Sequence, residues 1–402
     1  MTDSKHFKAQ EKRGVMWVVA VAAIVLVNCA IFYGCTAGDG DTNNDQVAQS
    51  ATAFTLTATT DDGGAAVVSF DVAQETTKFS VTASVGRGAF VRFDRVRDGD
   101  GNDYLHPGRE TISFGEELSP FNNVVSIPSR GIDPPVDASQ RFTVNASAAR
   151  DENGATPLVG ETITFSINSK ADPNLSQGPL RVNIFLVGDV GQQQSTLDIT
   201  QAAEREFERI YASSAGIDVN IQELQVDGPV VIPRPDLGNS FYRSATGGVP
   251  SPGVNIFIGG DIADFGSGNG GGDVLGIAAS IPGPPISSER SAVAVSIFAG
   301  AGPDGVYSNE EVRILGETLA HELGHFMGLF HPVDFDGGSV AASDPLTDTP
   351  VCSFITQCVS DESLIRNLMF PSPVADGQGG FVPQNELTRQ QQEVMNRYVA
   401  VD

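Results

Sequence analysis

Three of the chain's five histidines lie within one short segment, at positions 321, 325 and 331. His321 and His325 are four residues apart, so on a helix their imidazoles project to the same side, one turn apart in height. Gly328 tolerates a left-handed backbone that ends a helix and turns the chain back, which brings His331 toward the same point. Three neutral nitrogen ligands predict a zinc site that keeps a fourth position for water.

Glu322 directly follows the first histidine. Its carboxylate can take a proton from a water molecule activated by zinc and pass it to the leaving amine of a peptide bond. This predicts hydrolysis of a protein or peptide substrate, with Glu322 as general base. A site that took its third ligand from a downstream glutamate is disfavoured by His331. The alternative from another class is a non-hydrolytic zinc-binding surface or adhesion protein whose β-rich region is the working part.

A helix must carry these residues, and its start is well marked. Residues 308–311 read Ser-Asn-Glu-Glu, a capping box with acidic side chains in the first turn. Val312, Leu315 and Leu319 follow as an apolar stripe that faces a core. The pattern predicts a helix that runs to about Met327.

The helix belongs to a region, 176–402, whose pattern alternates between strands and helices. Apolar β-type runs begin near Leu180, and Ile199, Ala203, Phe207 and Ile210 place one apolar face on a helix over 195–214. Further strands are predicted over 217–226, 254–258, 275–281 and 292–297. This order predicts an α/β (α+β) domain with a twisted mixed sheet.

The preceding region, 51–175, reads as all-β. Its segments alternate apolar and polar side chains and are separated by glycine-rich turns. The natural packing is a β-sandwich-like domain. Its role as propeptide, spacer or binding module stays open.

The histidine segment resembles the metzincin signature, His-Glu-x-x-His-x-x-Gly-x-x-His. Members of that clan of zinc endopeptidases have a methionine in a tight turn beneath the metal, and the resemblance assigns this supporting role to Met369 in Asn367-Leu-Met-Phe-Pro371. It also implies that Leu275-Gly-Ile-Ala is the rim strand, which pairs with a substrate backbone.

Two further segments, 346–352 and 381–391, are similar to the pappalysin-like metzincins. Many pappalysin-like and astacin-like enzymes carry a tyrosine two places after the methionine, where this chain has Pro371. A tyrosine hydroxyl that would help to hold an oxyanion is therefore not supplied at that position.

Four aspartates crowd the segments after the third histidine: Asp334, Asp336, Asp344 and Asp348. Carboxylate oxygens suit a hard cation, so they are candidate calcium ligands. A solvated acidic loop is the alternative.

The first 35 residues read as a signal peptide or membrane anchor. A basic start precedes an uncharged apolar run, Val15–Tyr33, and then Cys35. A cysteine at this place resembles the lipidation site of bacterial lipoproteins, although Phe32 stands where leucine is usual. Lipoprotein, cleaved signal and uncleaved anchor all remain open. Each predicts membrane contact or export: a bacterial surface or outer-membrane lipoprotein, or a secreted protein.

The polar composition of residues 36–50 predicts a flexible linker. Cys352 and Cys358 are the only cysteines beyond the leader, and an extracytoplasmic location predicts a disulfide between them rather than a metal site. The net charge of −26 disfavours nucleic acid as a partner.

Overall fold

The computed structural model describes residues 53–105, 119–263, 274–299, 307–336 and 338–402. These belong to one compact unit, Asp45–Asp402. The predicted leader, the linker and Cys35 lie outside the described residues. Within the described ranges, no helix is both long and apolar enough to cross a bilayer.

The first part of the described chain, residues 53–170, is β-rich. Its strands are β1 (Ala53–Thr59), β2 (Ala65–Asp71), β3 (Lys78–Ser84), β4 (Phe90–Arg97), β5 (Ser119–Pro120), β6 (Asn122–Ile127), β7 (Arg141–Ala149) and β8 (Thr162–Lys170). They form two antiparallel four-stranded sheets, in the orders β1-β8-β3-β6 and β2-β7-β4-β5. Phe79 and Phe142, from different sheets, meet edge to face with ring centroids 4.8 Å apart. The sheets thus enclose one apolar core.

The second part, which we call the α/β part, begins at residue 178. Its elements are β9 (Gly178–Val187), a 3₁₀ turn (Gly188–Gly191), α1 (Gln194–Ser214), β10 (Ile217–Val226), β11 (Val231–Ile232), α2 (Ser240–Thr246), β12 (Val254–Gly259), β13 (Asp261–Ile262), β14 (Gly276–Ala278), β15 (Val293–Ser296), α3 (Asn309–Phe326), β16 (Asp334–Asp336), β17 (Ser339–Ala342), α4 (Ile355–Cys358), α5 (Glu362–Ile365) and α6 (Arg389–Arg397). Five strands form one mixed sheet in the order β10-β9-β12-β15-β14. β14 is antiparallel to β15, and the other pairs in this sheet are parallel.

Helices α1 and α3 pack together over one core with this sheet. Gly316 makes their close approach possible, because a Cβ atom there would lie 2.7 Å from the carbonyl oxygen of Ala203. The buried hydroxyl of Tyr211 on α1 donates to the carbonyl of Ala320 on α3, at 3.1 Å. These contacts hold one face of α3 against α1, and they fix the position of the C-terminal half of α3, which carries His321 and His325.

The combination of helices with several sheets agrees with the predicted mixed α/β class. The predicted strand over 275–281 is shorter than expected, since β14 covers only Gly276–Ala278, with one further backbone hydrogen bond at each end, at Leu275 and at Ala279. Three prolines, at 282, 284 and 285, follow and cannot donate to a ladder. The description of 51–175 as a sandwich-like domain, and of α3 as a metzincin helix, stays a prediction.

Candidate metal centre

Helix α3 positions the first two histidines and then ends where the third requires it. The predicted capping box is present: Glu311 N–H donates to Ser308 Oγ at 3.3 Å, and Ser308 N–H to Glu311 Oε2 at 2.6 Å. At the other end Gly328 has φ of 111°. Leu329 N–H donates to the Gly324 carbonyl at 2.9 Å, and Gly328 N–H donates to the His325 carbonyl at 2.9 Å. This is the hydrogen-bond pattern of a Schellman motif, which redirects the chain after the helix.

The redirected chain brings all three imidazoles together. His331 Nε2 lies 3.2 Å from His321 Nε2 and 3.0 Å from His325 Nε2. Among the described residues these three are the one group of three or more potential ligand side chains whose atoms converge on a point. His325 is buried, and the other two are partly exposed, so the point is reachable from one side.

Each imidazole is oriented through its other nitrogen. Nδ1 of His321 lies 2.7 Å from the carbonyl oxygen of Leu368, and Nδ1 of His325 lies 2.7 Å from that of Leu329. Nδ1 of His331 lies 2.7 Å from Asp334 Oδ1. Carbonyl and carboxylate oxygens accept hydrogen bonds and do not donate them, so Nδ1 carries the proton in each ring. The three Nε2 lone pairs are therefore left facing one another.

This arrangement fits a zinc ion. Zinc–nitrogen distances of about 2.0–2.1 Å in tetrahedral geometry separate two nitrogens by about 3.3 Å, close to the spacing here. Burial first, and His331 second, lower the pKa of His321 to about 3, and burial also lowers the pKa of His325. His321 and His325 are therefore neutral at physiological pH, which is the form that binds a metal.

Comparison with known proteins gives distant structural likenesses. No family model matches the chain, and no curated protein matches it. Among solved structures, 86 chains match. Archaemetzincin from Methanopyrus kandleri is 15% identical at a TM-score of 0.28, over 56% of this chain and 90% of that one. Metalloproteinase-II from Bacteroides fragilis is 13% identical at a TM-score of 0.31, over 58% of this chain and 62% of that one.

A zinc-dependent peptidase from Methanocorpusculum labreanum is 13% identical at a TM-score of 0.26, over 37% of this chain and 82% of that one. Likenesses at this level carry no argument about activity. The chemistry of the site has to follow from this chain's own residues.

Glu322 lies on α3 next to His321, and its buried side chain packs against the edge strand β14. Gly276 allows this, since a Cβ atom there would lie 2.5 Å from Glu322 Cγ. The backbone N–H of Ala278 donates to the Glu322 carboxylate. Burial raises the pKa of Glu322 to about 8, and the Ala278 hydrogen bond opposes this rise. A carboxyl group with a pKa near neutrality is suited to both taking up and releasing a proton.

Met369 lies under the histidine helix. Its side chain is fully buried, and a Cβ atom on Gly324 would lie 2.7 Å from its sulfur. Its backbone N–H donates to Asn367 Oδ1 at 2.9 Å, which fixes the turn. The same turn presents the Leu368 carbonyl to His321. The segment therefore supports the site through packing and through one ring orientation.

The four aspartates proposed as calcium ligands do not converge. Asp334 is engaged with His331, and Asp336 is exposed. Asp344 is buried and accepts from Thr349 Oγ1 at 2.6 Å. Asp348 accepts from the Gln390 backbone N–H at 2.9 Å, at the start of α6. Within the described segments these carboxylates make no common site, so calcium finds no support here.

Cys352 and Cys358 form a disulfide. It closes the loop beside the β16–β17 hairpin, where Val340 N–H donates to the Ser353 carbonyl at 3.2 Å. A small core lies beneath, containing both cysteines with Val333 and Phe370. The disulfide thus braces the hairpin that carries Asp334.

Sequence reasoning missed the groups that orient the rings. The Leu368 and Leu329 carbonyls have no side-chain signal. Asp334 has one, as an acidic residue three positions after His331, but the same carboxylate also suits calcium, and the sequence does not separate the two roles. Gly276 and Ala278 lay in the expected rim strand, yet nothing in the sequence indicated their contact with Glu322.

Proposed function

We propose that this protein is a zinc-dependent endopeptidase of the metzincin type. The convergence of three histidine Nε2 atoms within 3.0–3.2 Å carries the proposal, since uncharged lone pairs at this spacing need a shared cation. The zinc ligands are His321, His325 and His331. The sequence spacing of His321, His325, Gly328 and His331 matches the metzincin pattern and supports the proposal.

When bound, zinc supplies a Lewis acid that polarises a peptide carbonyl and acidifies water. The chain's own residues supply the proton transfers. Glu322 accepts a proton from the attacking water and delivers it to the leaving nitrogen, and its burial keeps this carboxyl group poised for both steps. No covalent link between protein and substrate is needed.

The substrate class is a peptide in extended form. β14 is the last strand of its sheet, and in the described residues it pairs only with β15. Its three residues are partly exposed. A peptide laid along its free edge gains backbone hydrogen bonds and passes beside Glu322.

The resemblance of two segments to pappalysin-like enzymes supports membership of that subfamily. Pro371 departs from it, because proline offers no hydroxyl to a developing oxyanion. We place the oxyanion's stabilisation on the metal and on backbone N–H donors.

The deciding experiment is cleavage of casein with and without a zinc chelator, using the parent protein and Glu322→Gln. We expect the chelator to abolish cleavage, and the variant to lose about 10²–10⁴-fold in rate while it keeps one zinc per chain. Glu362→Gln, on an exposed side chain of α5, is the matched control and should cleave like the parent. Equal digestion by Glu322→Gln would refute the mechanism, and zinc binding without any cleavage would favour a non-hydrolytic zinc protein.

We further propose an extracytoplasmic location with membrane attachment through the leader and Cys35. The sequence pattern of the leader alone supports this. Mass spectrometry of the mature N-terminus tests it: a lipid on Cys35 is expected, and an unmodified Met1 in the cytoplasm would contradict it.

A further inference from the structure

One buried arginine joins the β-rich part to the candidate site. Arg290 lies between β14 and β15 in the α/β part and is only 4% exposed. Burial lowers its pKa to about 10, so the guanidinium is still charged at neutral pH. A charge at such a position needs several acceptors.

Arg290 takes most of those acceptors from the β-rich part. Its Nη1 donates to the carbonyls of Pro120 at 3.0 Å and Asn122 at 2.9 Å, and to Ser119 Oγ. These three residues form β5 and the start of β6. Among the described residues, every hydrogen-bond acceptor that the structure gives Nη1 belongs to the β-rich part.

The other branch of the guanidinium reaches the site. Nη2 donates to the carbonyl of Ala279, the residue directly after β14. The neighbouring Ala278 N–H is the group that bonds Glu322. One rigid guanidinium plane therefore spans the distance from β5 to the edge strand beside the proposed general base.

Further contacts also join the β-rich part to the α/β part. Arg87 of the β-rich part lies 2.6 Å from Glu289, the neighbour of Arg290. Gly238 packs against the ring of Phe121, where a Cβ atom would lie 2.8 Å from the ring. On another face, the buried Lys78 donates to the carbonyl of Asn396 at 3.1 Å. The β-rich part is thus bonded to the α/β part at more than one place.

We propose that the β-rich part is a permanent component of the mature protein, and that Arg290 is a positioning residue that fixes the edge strand β14 through it. The positioning role rests on the proposed function. Removal of the β-rich part as a propeptide would replace the three Nη1 acceptors of Arg290 by water, and the guanidinium would no longer tie Ala279 to a fixed element. A passive spacer would not need to share a buried charge with the edge of the site.

The first test cuts the chain between the two parts without removing either. A recognition sequence for a site-specific protease is inserted between the exposed residues Ser176 and Gln177 in the full-length protein. After cleavage we expect both fragments to co-elute in gel filtration and casein cleavage to stay within twofold of the uncut protein. Dissociation of the β-rich fragment, with a remaining fragment that stays folded and active, would overturn the proposal.

The second test addresses Arg290 itself, by hydrogen exchange and kinetics. Arg290→Met should raise amide exchange at Ala278 and Ala279 at least tenfold, since the strand end loses its anchor. It should lower kcat/KM about ten- to a hundredfold with unchanged zinc content, because the edge strand moves relative to Glu322. Arg290→Lys should show smaller changes in both amide exchange and kcat/KM, because lysine keeps a charged donor but lacks the planar guanidinium.

Arg87→Met is the matched control. This arginine also pairs with the 288–291 segment but is 71% exposed and bonds nothing on β14. It should leave exchange and activity near those of the parent. Exchange at Ala278 and Ala279 in Arg290→Met equal to that of the parent would refute the positioning role. If the parent cleaves no peptide, the proposed function fails, while co-elution and exchange still decide the present proposal.

Discussion

At the scale of single residues, the three histidines differ in what holds them. His321 and His325 share helix α3, and backbone carbonyls accept from their Nδ1 protons. His331 comes after the helix, where no regular element fixes its ring. Its Nδ1 instead lies 2.7 Å from Asp334 Oδ1. A carboxylate in this place fixes the tautomer and makes the ring a stronger ligand.

Asp334→Asn tests this dependence. An amide oxygen can still accept from Nδ1 but carries no charge, so we expect zinc affinity to fall about 10–100-fold while the fold is kept. The measurement is zinc competition against a chromophoric chelator. Asp336→Asn, at an exposed residue of the same strand, is the control and should bind zinc as the parent does. If Asp334→Asn bound zinc with the affinity of the parent, Asp334 would have no role in orienting His331 for the metal.

Residue types and spacing predicted the histidines, Glu322 and the glycine that turns the chain, because helix geometry alone relates positions a few residues apart. They could not predict the Leu368 carbonyl at His321, which lies 47 positions away in the chain. Every residue has a carbonyl, so such a partner leaves no trace in the sequence. Asp334 was visible but ambiguous, since carboxylates orient imidazoles as well as bind calcium.

At the scale of elements, the two long helices, α1 and α3, were the most predictable features. α1 and α3 carry clear apolar faces, and the capping box of α3 formed as expected. Two-residue strands such as β5, β11 and β13 gave no periodic signal, since alternation needs several residues to be recognised. For the same reason, the strand predicted over 275–281 was longer than the observed β14, Gly276–Ala278. Pairing partners of strands depend on contacts that local patterns do not contain.

The packing of α1 on β10 has a pH-dependent consequence. Glu204 on α1 is 6% exposed, and its Oε1 has no hydrogen-bond partner. Burial first, and Glu223 on β10 second, raise its pKa to about 8, Glu208 adds to this, and Arg205 opposes it. The folded protein therefore holds a proton here that the unfolded chain releases above its ordinary pKa of about 4.3. Stability falls as pH rises between these two values.

Glu204→Gln removes this titration, because an amide stays neutral. Near pH 8–9 we expect the free energy of unfolding of the variant to exceed that of the parent by on the order of 2 kcal/mol, with a higher melting temperature. Near pH 4–5 the two proteins should differ little. Thermal unfolding followed by circular dichroism across this range is the measurement. Glu152→Gln, at an exposed turn residue, should show no such pH-dependent gain. An equal gain at all pH values would show that the proton is not the cause.

At the scale of the whole molecule, the two largest apolar cores of the described residues are joined by buried polar contacts. One core fills the β-rich part and the other lies between the mixed sheet and its helices. The change from an all-β pattern to alternating strands and helices predicts a domain boundary near residue 175. It could not show that Lys78 reaches residue 396, 318 positions away. Long-range polar contacts of this kind are specified by the assembled fold and by no local pattern.

Lys78 lets the coupling of the two cores be measured. It is fully buried on β3, with its Nζ 2.7 Å from Asp172 Oδ2 and 3.1 Å from the Asn396 carbonyl at the end of α6. Lys78→Met strands the buried Asp172 charge, so we expect a loss of about 3–5 kcal/mol in the free energy of unfolding. Adding Asp172→Asn removes the stranded charge and should recover much of this loss.

The shape of the unfolding curve carries the stronger test. Because Lys78 bonds both parts, its loss should shift one cooperative transition as a whole, in urea denaturation followed by circular dichroism and in calorimetry at fixed zinc concentration. Two separated transitions, with only the β-rich part destabilised, would show that the cores unfold independently. That result would also weaken the permanent attachment proposed through Arg290, since both inferences require the β-rich part and the metal site to behave as one body.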